Sequence, residues 1–448
     1  AGNVLKKTLA REFRRKFGKT PNSAALADAL AVLEGEACDS APEAIHLRVA
    51  EHATGIVLDL GRPDGLAAIV NATGWSVAPS PVVFKRSGLT GPLPVPVAGG
   101  DLCELQALLN VDAHSWPLLC GWLVAALLPN MPHPILLLGG EHGTGKSTAA
   151  KYICCVFDKS IAPLRDQPRD PEQWAISAHA SWCVVTDNVS TIPLWWSDAL
   201  CKAVTGEGWI KRALYTDSDT VVLSFRRVLA LTSIEAGALR GDLGDRVLIV
   251  DLDPISPEAR RSDVELWMTY ERLHPQVLGA LLDLLSAVLR ELPSVRLAGH
   301  PRMADFARVL AAVDNAVGTQ SLALYLRQAE RVACDVVEGD AVGQAVLDLM
   351  RDRDEWEGTA SALLAQLSPD SPEQGWPRRP NALSARLKRL KPSLLTLGLT
   401  LEMHRSQDQS RTRTLRILKR APKDRAVGLD DPDDRSDNST EPGEDGGA

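Results

Sequence analysis

The stretch PILLLGGEHGTGKST, residues 134–148, joins an apolar run to a glycine-rich turn and to the start of a helical pattern. Residues 140–147 fit the pattern G-x-x-x-x-G-K-[ST]. In such a loop the glycines let backbone N–H groups surround a phosphate, the lysine reaches the β- and γ-phosphates, and the hydroxyl can ligate Mg²⁺. The predicted phosphate-binding residues are Gly140, Glu141, His142, Gly143, Thr144, Gly145, Lys146, Ser147 and Thr148, and Ser147 is also a predicted metal ligand.

A second apolar run, SWCVVTDN at residues 181–188, supplies the other half of a metal site. An aspartate at the tip of a neighbouring strand can hold Mg²⁺ through water, and Asp187 is predicted to do so. A plain helix cap is the alternative for Asp187. Many ATPases follow this aspartate with a glutamate that activates the attacking water. Here Asn188 follows, which can orient a water but cannot accept its proton, so slow hydrolysis is expected.

The segment SFRRVLALTSIE, residues 224–235, is a predicted strand that ends in two hydroxyl side chains. Thr232 and Ser233 could contact the γ-phosphate or the attacking water, as a sensor does. The alternative is that they are ordinary polar residues at a strand end.

Two arginines precede the last apolar strand, in LRGDLGDRVLIVDL at residues 239–252. An arginine at such a position can act on the nucleotide of a neighbouring subunit, so Arg240 and Arg246 are candidate trans-acting fingers. The alternative is a surface salt bridge with Asp242 or Asp245.

Between the metal aspartate and the sensor strand, residues 205–225 have the pattern of a β-hairpin, with WIKRALY and TVVLSF joined by TDSD. The hairpin carries Lys211 and Arg212. A hairpin inserted here could project into a central channel and contact a phosphate backbone. A simply solvated hairpin is the alternative.

The C-terminal segment combines helical patterns with a strand pair and a strong local positive charge. WEGTASALLAQL and NALSARLKRLKPSLLTLG are predicted helices, and LTLEMHRSQDQSRTRTLRILK is a predicted strand pair, an order typical of a winged helix-turn-helix. Residues 376–421 contain twelve Lys or Arg and two Glu or Asp. A basic protein-docking module is the alternative. The candidate DNA-binding residues are Arg386, Lys388, Arg389 and Lys391 on the recognition helix, and Arg405, Arg411, Arg413 and Arg416 on the wing.

Composition sets the limits for these hypotheses. The chain has 448 residues, 45% apolar residues and a net charge of −8, so a nucleic-acid signal must be local rather than global. The eight cysteines contain no C-x-x-C pair, which favours reduced thiols in a cytoplasmic protein. The most apolar segment, residues 117–128, is far shorter than the roughly 20 residues of a membrane-spanning helix. We therefore expect no membrane association.

The order of these motifs resembles that of AAA+ ATPases of the superfamily-three helicase type. The strings WWSDALCKAVTGEGWIKRALYTDSD, LRGDLGDR and PRMADFA are similar to uncharacterised ATP-binding proteins of bacteria and of their phages or integrated elements, which are often linked with primase–helicase replication proteins. This closer resemblance covers residues 40–420. It implies ATP and Mg²⁺ as cofactors, DNA as a partner and a ring-shaped homo-oligomer such as a hexamer. The motifs described above give the candidate catalytic residues Lys146, Asp187, Asn188, Arg246 and Arg240.

The predicted fold is α/β, with a P-loop AAA+ core built on a parallel sheet. The predicted segments are N-terminal helices (1–40), a small β-rich unit with a linker (41–100), the ATPase core (101–257), a helical lid (258–335), a winged-helix DNA-binding domain (336–421) and a disordered acidic tail (422–448). The predicted function is an ATP-dependent DNA-remodelling or helicase-like ATPase of a phage or mobile element, in DNA replication. A nucleotide-gated DNA-binding regulator with little hydrolysis is the main alternative. A small-molecule kinase is less favoured, because no acceptor site is visible.

Overall fold

The computed structural model describes residues 2–53, 55–141, 143–212, 220–233, 241–297, 299, 301–369, 376–405 and 413–419. The chain divides into two units, residues 1–45 and residues 46–448. The first unit contains α1 (Gly2–Phe17) and α2 (Ser23–Asp39). Asn22 caps α2, because its side chain accepts a hydrogen bond of 2.7 Å from the Ala25 N–H.

Short strands follow, the first of which lies at the boundary between the two units. They are β1 (Ile45–His46), β2 (Val49–His52), β3 (Gly55–Asp59), β4 (Leu66–Asn71), β5 (Gly74–Pro79) and β6 (Val83–Phe84). Strands β2 to β5 pair in sequence order as a four-stranded antiparallel sheet. The small β-rich unit that the sequence predicted in this part of the chain is therefore present, and its strands are antiparallel.

The central part of the unit alternates helices and strands. Its elements are α3 (Cys103–Gln106), α4 (Trp116–Ala125), β7 (Ile135–Gly139), α5 (Lys146–Cys155), β8 (Leu164–Arg165), α6 (Pro171–Ala180), β9 (Cys183–Val189), α7 (Leu194–Thr205), β10 (Gly208–Arg212), β11 (Thr220–Ser224), β12 (Val228–Ser233), α8 (Gly241–Gly244) and β13 (Val247–Asp251). Five strands form a parallel sheet in the order β13-β7-β12-β9-β8. The predicted parallel α/β core is therefore confirmed. Because its strands are parallel, their carboxyl ends meet at one edge.

Helices follow this sheet: α9 (Asp263–Glu291), α10 (Ala304–Val317) and α11 (Ser321–Glu338). The longest, α9, begins at a capping box in which Ser262 and Glu265 exchange hydrogen bonds. Helix α4 is buried along most of its length, and α9, α10 and α11 pack against it. Among the described helices, none has both the length and the apolar composition needed to cross a membrane.

The last part of the chain contains α12 (Ala341–Met350), β14 (Glu355–Thr359), α13 (Ala360–Leu367), α14 (Pro380–Thr396), β15 (Leu399–Arg405) and β16 (Arg413–Lys419). The three strands form an antiparallel sheet with β16 in the middle, and the apolar side chains build a second hydrophobic core. One sequence prediction is wrong here: the segment that starts at Trp356 is not helical throughout. Trp356 is buried in β14, opposite Ile417, and Thr359 caps the helix that follows.

Candidate functional site

The glycine-rich loop lies at the carboxyl edge of the parallel sheet, between β7 and α5. Gly140 has φ +135°, and a Cβ there would stand 2.9 Å from Thr144 Oγ1 and 3.0 Å from the Leu252 carbonyl oxygen. Gly145, with φ +80°, is the residue that caps α5. Both positions need glycine, because a side chain would be strained or would collide. His142 lies outside the described residues.

Lys146 closes the loop from the first turn of α5. Its Nζ donates hydrogen bonds to the carbonyl oxygens of Gly140 (2.8 Å) and Glu141 (2.7 Å). The Thr144 hydroxyl is buried and donates to the same Glu141 carbonyl (3.0 Å). The two Lys146 contacts hold its ammonium group against the backbone of the loop, and Lys146 is itself the first residue of α5. An anion bound there would meet both a positive charge and a helix N-terminus.

Asn110 lies between α3 and α4 and contacts the glycine-rich loop, a contact that the sequence analysis missed. Its side-chain amide donates to the carbonyl oxygens of Thr144 (3.2 Å) and Asp253 (3.3 Å), so it joins the loop to the chain after β13. No pattern in the sequence marks Asn110, because its partners lie far from it along the chain.

Asp187 is the centre of the polar cluster beside the loop. Its Oδ1 accepts hydrogen bonds from the Ser147 hydroxyl (2.8 Å) and from the Thr232 hydroxyl (2.5 Å). The two predicted metal ligands are therefore in direct contact, and a carboxylate with a hydroxyl is a ligand set that suits Mg²⁺. The helix-cap alternative for Asp187 is wrong, because Asp187 lies within β9 and α7 begins after Pro193.

Asn188 adopts a left-handed backbone conformation, with φ +56°. Its N–H donates to Thr232 Oγ1 (2.8 Å), and its side chain is exposed at the edge of the sheet. Asparagine tolerates this conformation better than most residues, which gives Asn188 a backbone role that the sequence did not reveal. The side chain of Ser233, at the end of β12, lies outside the described part of the structure.

Helix α11 contacts the end of β13, the edge strand next to β7. The Gln328 side chain accepts a hydrogen bond from the Ile249 N–H (2.9 Å) and donates one to the Ile249 carbonyl (2.7 Å). Arg331 lies 3.7 Å from Asp251, whose carboxyl pKa is raised by burial. Thus α11 satisfies the outward-facing backbone groups of Ile249 in the edge strand.

Arg246 lies at the amino ends of the sheet strands, whereas the glycine-rich loop lies at their carboxyl ends. Its carbonyl oxygen accepts a hydrogen bond from the N–H of Ile135, the first residue of β7, whereas the loop follows the last residue of β7. The length of β13 separates the amino end of the sheet from its carboxyl end by about 13 Å. Its guanidinium contacts Cys201 Sγ at 3.6 Å. Asp245, one of the two aspartates proposed as a partner, accepts a hydrogen bond from Arg302 (2.9 Å). Arg240 is outside the described residues.

Strands β10 and β11 form the antiparallel pair that the sequence predicted. Lys211 lies opposite Val221, and Arg212 lies opposite Thr220. The side chains of both basic residues, and residues 213–219, fall outside the structural description. DNA contact by this hairpin stays a prediction.

Helix α14 presents basic side chains on the face opposite its buried leucines. Leu383, Leu387, Leu390 and Leu394 are buried, whereas Lys388, Arg389 and Lys391 are exposed. Arg386 differs from these three, because its Nε donates to both carboxylate oxygens of Asp340 (2.9 and 2.7 Å). Asp340 caps α12, so this ion pair connects two helices.

The predicted wing corresponds to β15 and β16. Arg405 and Arg413 lie opposite each other where the two strands meet their connection, although their side chains, and Arg411 as a whole, are not among the described parts. Arg416 donates to Glu355 of β14, a contact that raises the pKa of Arg416 and lowers that of Glu355. The sequence analysis missed this partner, because β14 was predicted as helix.

Together the fold and the site define a mixed α/β protein with a polar cluster and a glycine-rich loop at the carboxyl edge of a parallel sheet. Residues 102–335 match the model of the actinomycete integrative conjugative element replication protein family, and residues 342–432 match the model of the RepA C-terminal domain of these elements. Because the first match spans more than half of the sequence, the chain belongs to this replication protein family. The predicted origin in a mobile element and the predicted link to DNA replication are confirmed.

No curated protein matches the chain. Among solved structures, the apo C-terminal region of NrS-1 (residues 305–718) shares 13% identity, covers 93% of this chain and 90% of its own, and has a TM-score of 0.37. JCV helicase shares 13% identity, with coverage of 52% of this chain and 70% of its own and a TM-score of 0.23. These TM-scores are low, and neither similarity supports a conclusion about this chain.

Proposed function

We propose that this chain is an ATP-dependent DNA-remodelling ATPase of the helicase type that acts in replication of the mobile element. The observation that carries the proposal is the contact of Ser147 and Thr232 with Asp187 beside the glycine-rich loop. The loop N–H groups and the start of α5 would bind the phosphates, and Lys146 would exchange its carbonyl partners for phosphate oxygens. These parts form a P-loop ATPase core.

In this proposal, Ser147 and Asp187 hold Mg²⁺, which when bound neutralises charge on the phosphate oxygens. Thr232 keeps the Asp187 carboxylate in place, since its hydroxyl donates to that group. Asn188 stands at the same edge with an exposed amide side chain that can orient a water molecule. It cannot remove a proton from that water, so these residues favour slow turnover.

The C-terminal module would be the DNA-binding part. Its order of helix, strand, two helices and two strands is that of a winged helix, with α14 in the position of the recognition helix. The exposed Lys388, Arg389 and Lys391 supply positive charge on that helix. A phosphate backbone is the partner that such a basic face fits.

The second candidate function is a nucleotide-gated DNA-binding regulator with little hydrolysis. Asn188 favours it, because the position of the usual catalytic base carries no base. Steady-state ATP hydrolysis with and without single-stranded DNA, together with the mass of the assembly in the presence of ATP, separates the two. DNA-stimulated turnover by a ring supports the motor, whereas tight ATP binding without turnover supports the regulator.

We expect Lys146→Ala to weaken binding of ATP with Mg²⁺ by at least 10- to 100-fold, roughly the value of a charge-assisted contact to phosphate. The fold should persist, because the ammonium group faces the loop rather than the core. Nucleotide titration and the melting temperature measure the two effects. The control is Lys151→Ala, since Lys151 lies on the same helix but faces the ring of Trp267 at 3.9 Å. Equal affinity of the two variants would refute the nucleotide site.

We expect the affinity of the full chain for duplex DNA to fall steeply as the salt concentration rises. Each phosphate contact contributes about 0.9 to the slope of the logarithm of the binding constant against the logarithm of the salt concentration. Replacing Lys388 and Arg389 together by Ala should reduce that slope by up to ~2. Arg386 is a poor choice for this test, since its loss would break the ion pair with Asp340. Arg353→Ala, an exposed cation outside α14, serves as the control. A salt-independent wild-type affinity would favour the protein-docking alternative.

A further inference from the structure

The chain between β13 and α9 lies against the glycine-rich loop. We call residues 252–262 the strap. The carbonyl oxygen of Asp253 in the strap shares the Asn110 amide with Thr144 of the loop. Further along, Ile255 Cδ1 lies 3.5 Å from the position that a Cβ on Gly145 would take. The strap therefore contacts the loop at its last residues before α5.

Arg260 in the strap brings a second positive charge to the loop. Its Nη2 lies 3.7 Å from the Cβ position of Gly143, and among the described residues no other atom beyond the chain neighbours lies within 4 Å of that position. Arg261, the next residue, makes no such approach. Arg260 is exposed, and within the described part of the chain no carboxylate lies within ion-pair distance of it. With respect to these described residues, its guanidinium donors are open to a ligand.

A planar guanidinium with several donors matches phosphate oxygens, and arginine binds phosphates in a two-point geometry that lysine cannot reproduce. We propose that Arg260 binds the polyphosphate of the nucleotide as a second cation beside Lys146. This inference rests on the proposed function, because it requires a nucleotide in the loop. It adds a residue from outside the sequence motif to the binding site.

The position of Arg260 also connects the site to the helical segment. Two residues separate Arg260 from Asp263, the first residue of α9, and the capping box at Ser262 fixes the chain between them. A phosphate held by Arg260 would therefore restrain the strap and the start of α9 together. Helix α9 in turn contacts the small β unit, where Trp75 donates to Asp283 (2.7 Å).

The test measures the affinity of the full chain for ATP and ADP with Mg²⁺, by displacement of a fluorescent nucleotide. We expect Arg260→Ala to weaken ATP binding by about 10- to 100-fold, the range for a charge-assisted contact to phosphate. Arg260→Lys should recover part of the loss, because it keeps the charge but not the two-point geometry. Arg261→Ala is the matched control and should bind like the wild type. A greater loss for ATP than for ADP would assign Arg260 to the γ-phosphate, and an equal loss to the phosphates that both share.

The outcomes also separate this inference from the proposed function. If the wild type binds ATP, Lys146→Ala does not, and Arg260→Ala binds as tightly as Arg261→Ala, the inference is overturned and the nucleotide site stands. If the wild type shows no nucleotide binding, the proposed function and the inference fail together. Unchanged melting temperatures of the two arginine variants, which we expect because both side chains are exposed, exclude unfolding as the cause.

Discussion

We expect Arg246→Ala to bind ATP normally and to lose hydrolysis by roughly 10³–10⁵-fold, the range over which arginine fingers act in phosphoryl transfer. Arg246 is at the amino end of β13, about 13 Å along the strand from the edge that carries the glycine-rich loop of the same chain. If Arg246 acts on a nucleotide, we therefore expect it to act on the nucleotide of another subunit. Nucleotide titration and steady-state hydrolysis measure the two expectations separately.

A mixing experiment tests whether the site is shared. Arg246→Ala retains an intact loop, and Lys146→Ala retains an intact arginine. In a ring that contains both variants, one type of subunit interface has an intact loop from one subunit and an intact Arg246 from the next. Part of the ATP hydrolysis should therefore return. No recovery at concentrations at which the two variants co-assemble would count against a trans-acting arginine. Arg240 should be tested by the same mixing design.

The control for Arg246 has to separate catalysis from local packing, because its guanidinium contacts Cys201 of α7. Arg302→Ala removes the neighbouring ion pair with Asp245 and leaves Arg246 in place. We expect Arg302→Ala to retain most of the hydrolysis. If Arg246→Ala unfolds the protein while Arg302→Ala does not, then Arg246 has a structural role instead.

We expect Asn188→Asp to raise ATP turnover by up to ~10²–10⁴-fold, the typical value of general-base assistance. Aspartate has the shape of asparagine and also tolerates the left-handed backbone conformation that residue 188 adopts. It would place a carboxylate where the structure now has an amide. The measurement is steady-state hydrolysis with ATP and Mg²⁺ over a range of pH, since a new base should add an acidic limb to the profile.

Two further variants, Asn188→Glu and Asn188→Ala, show whether a change in turnover comes from an added base or from loss of the asparagine amide. Asn188→Glu supplies the residue type common in other ATPases, but its left-handed backbone costs roughly 1–2 kcal/mol, so its gain should be smaller than that of Asn188→Asp. Asn188→Ala removes the amide without adding a base. If both acidic variants lower turnover as Asn188→Ala does, the asparagine itself positions the water, and a missing base is not what limits the rate.

The sequence predicted the parts of the site that depend on local patterns. A strand, a glycine-rich turn and a helix in succession require the loop to stand at a strand end, and the loop is found there. Asp187 and Thr232 also end apolar runs. Because parallel strands bring their carboxyl ends to one edge, both were expected near the loop, and the structure places both in one cluster with Ser147.

The roles of other residues depend on contacts between segments that are distant along the chain, and the sequence did not predict these roles. Arg386 and Lys388 are two residues apart on one basic helix, yet Arg386 forms an ion pair with Asp340 and Lys388 is exposed. The local charge pattern is the same for both, so only the packing of α12 against α14 could distinguish them. The segment after β13 has no motif, and Arg260 became a candidate only through its distance to Gly143.

By itself, then, the sequence determined the parallel α/β core, the loop and the residues at its strand ends, because hydrophobic periodicity and glycine spacing are local properties of the chain. The tertiary structure alone decided that Asn188 has a positive φ and that Asn110 and Arg260 approach the loop. These features depend on which segments fold against each other, a relation that local patterns of residue type and spacing do not reveal.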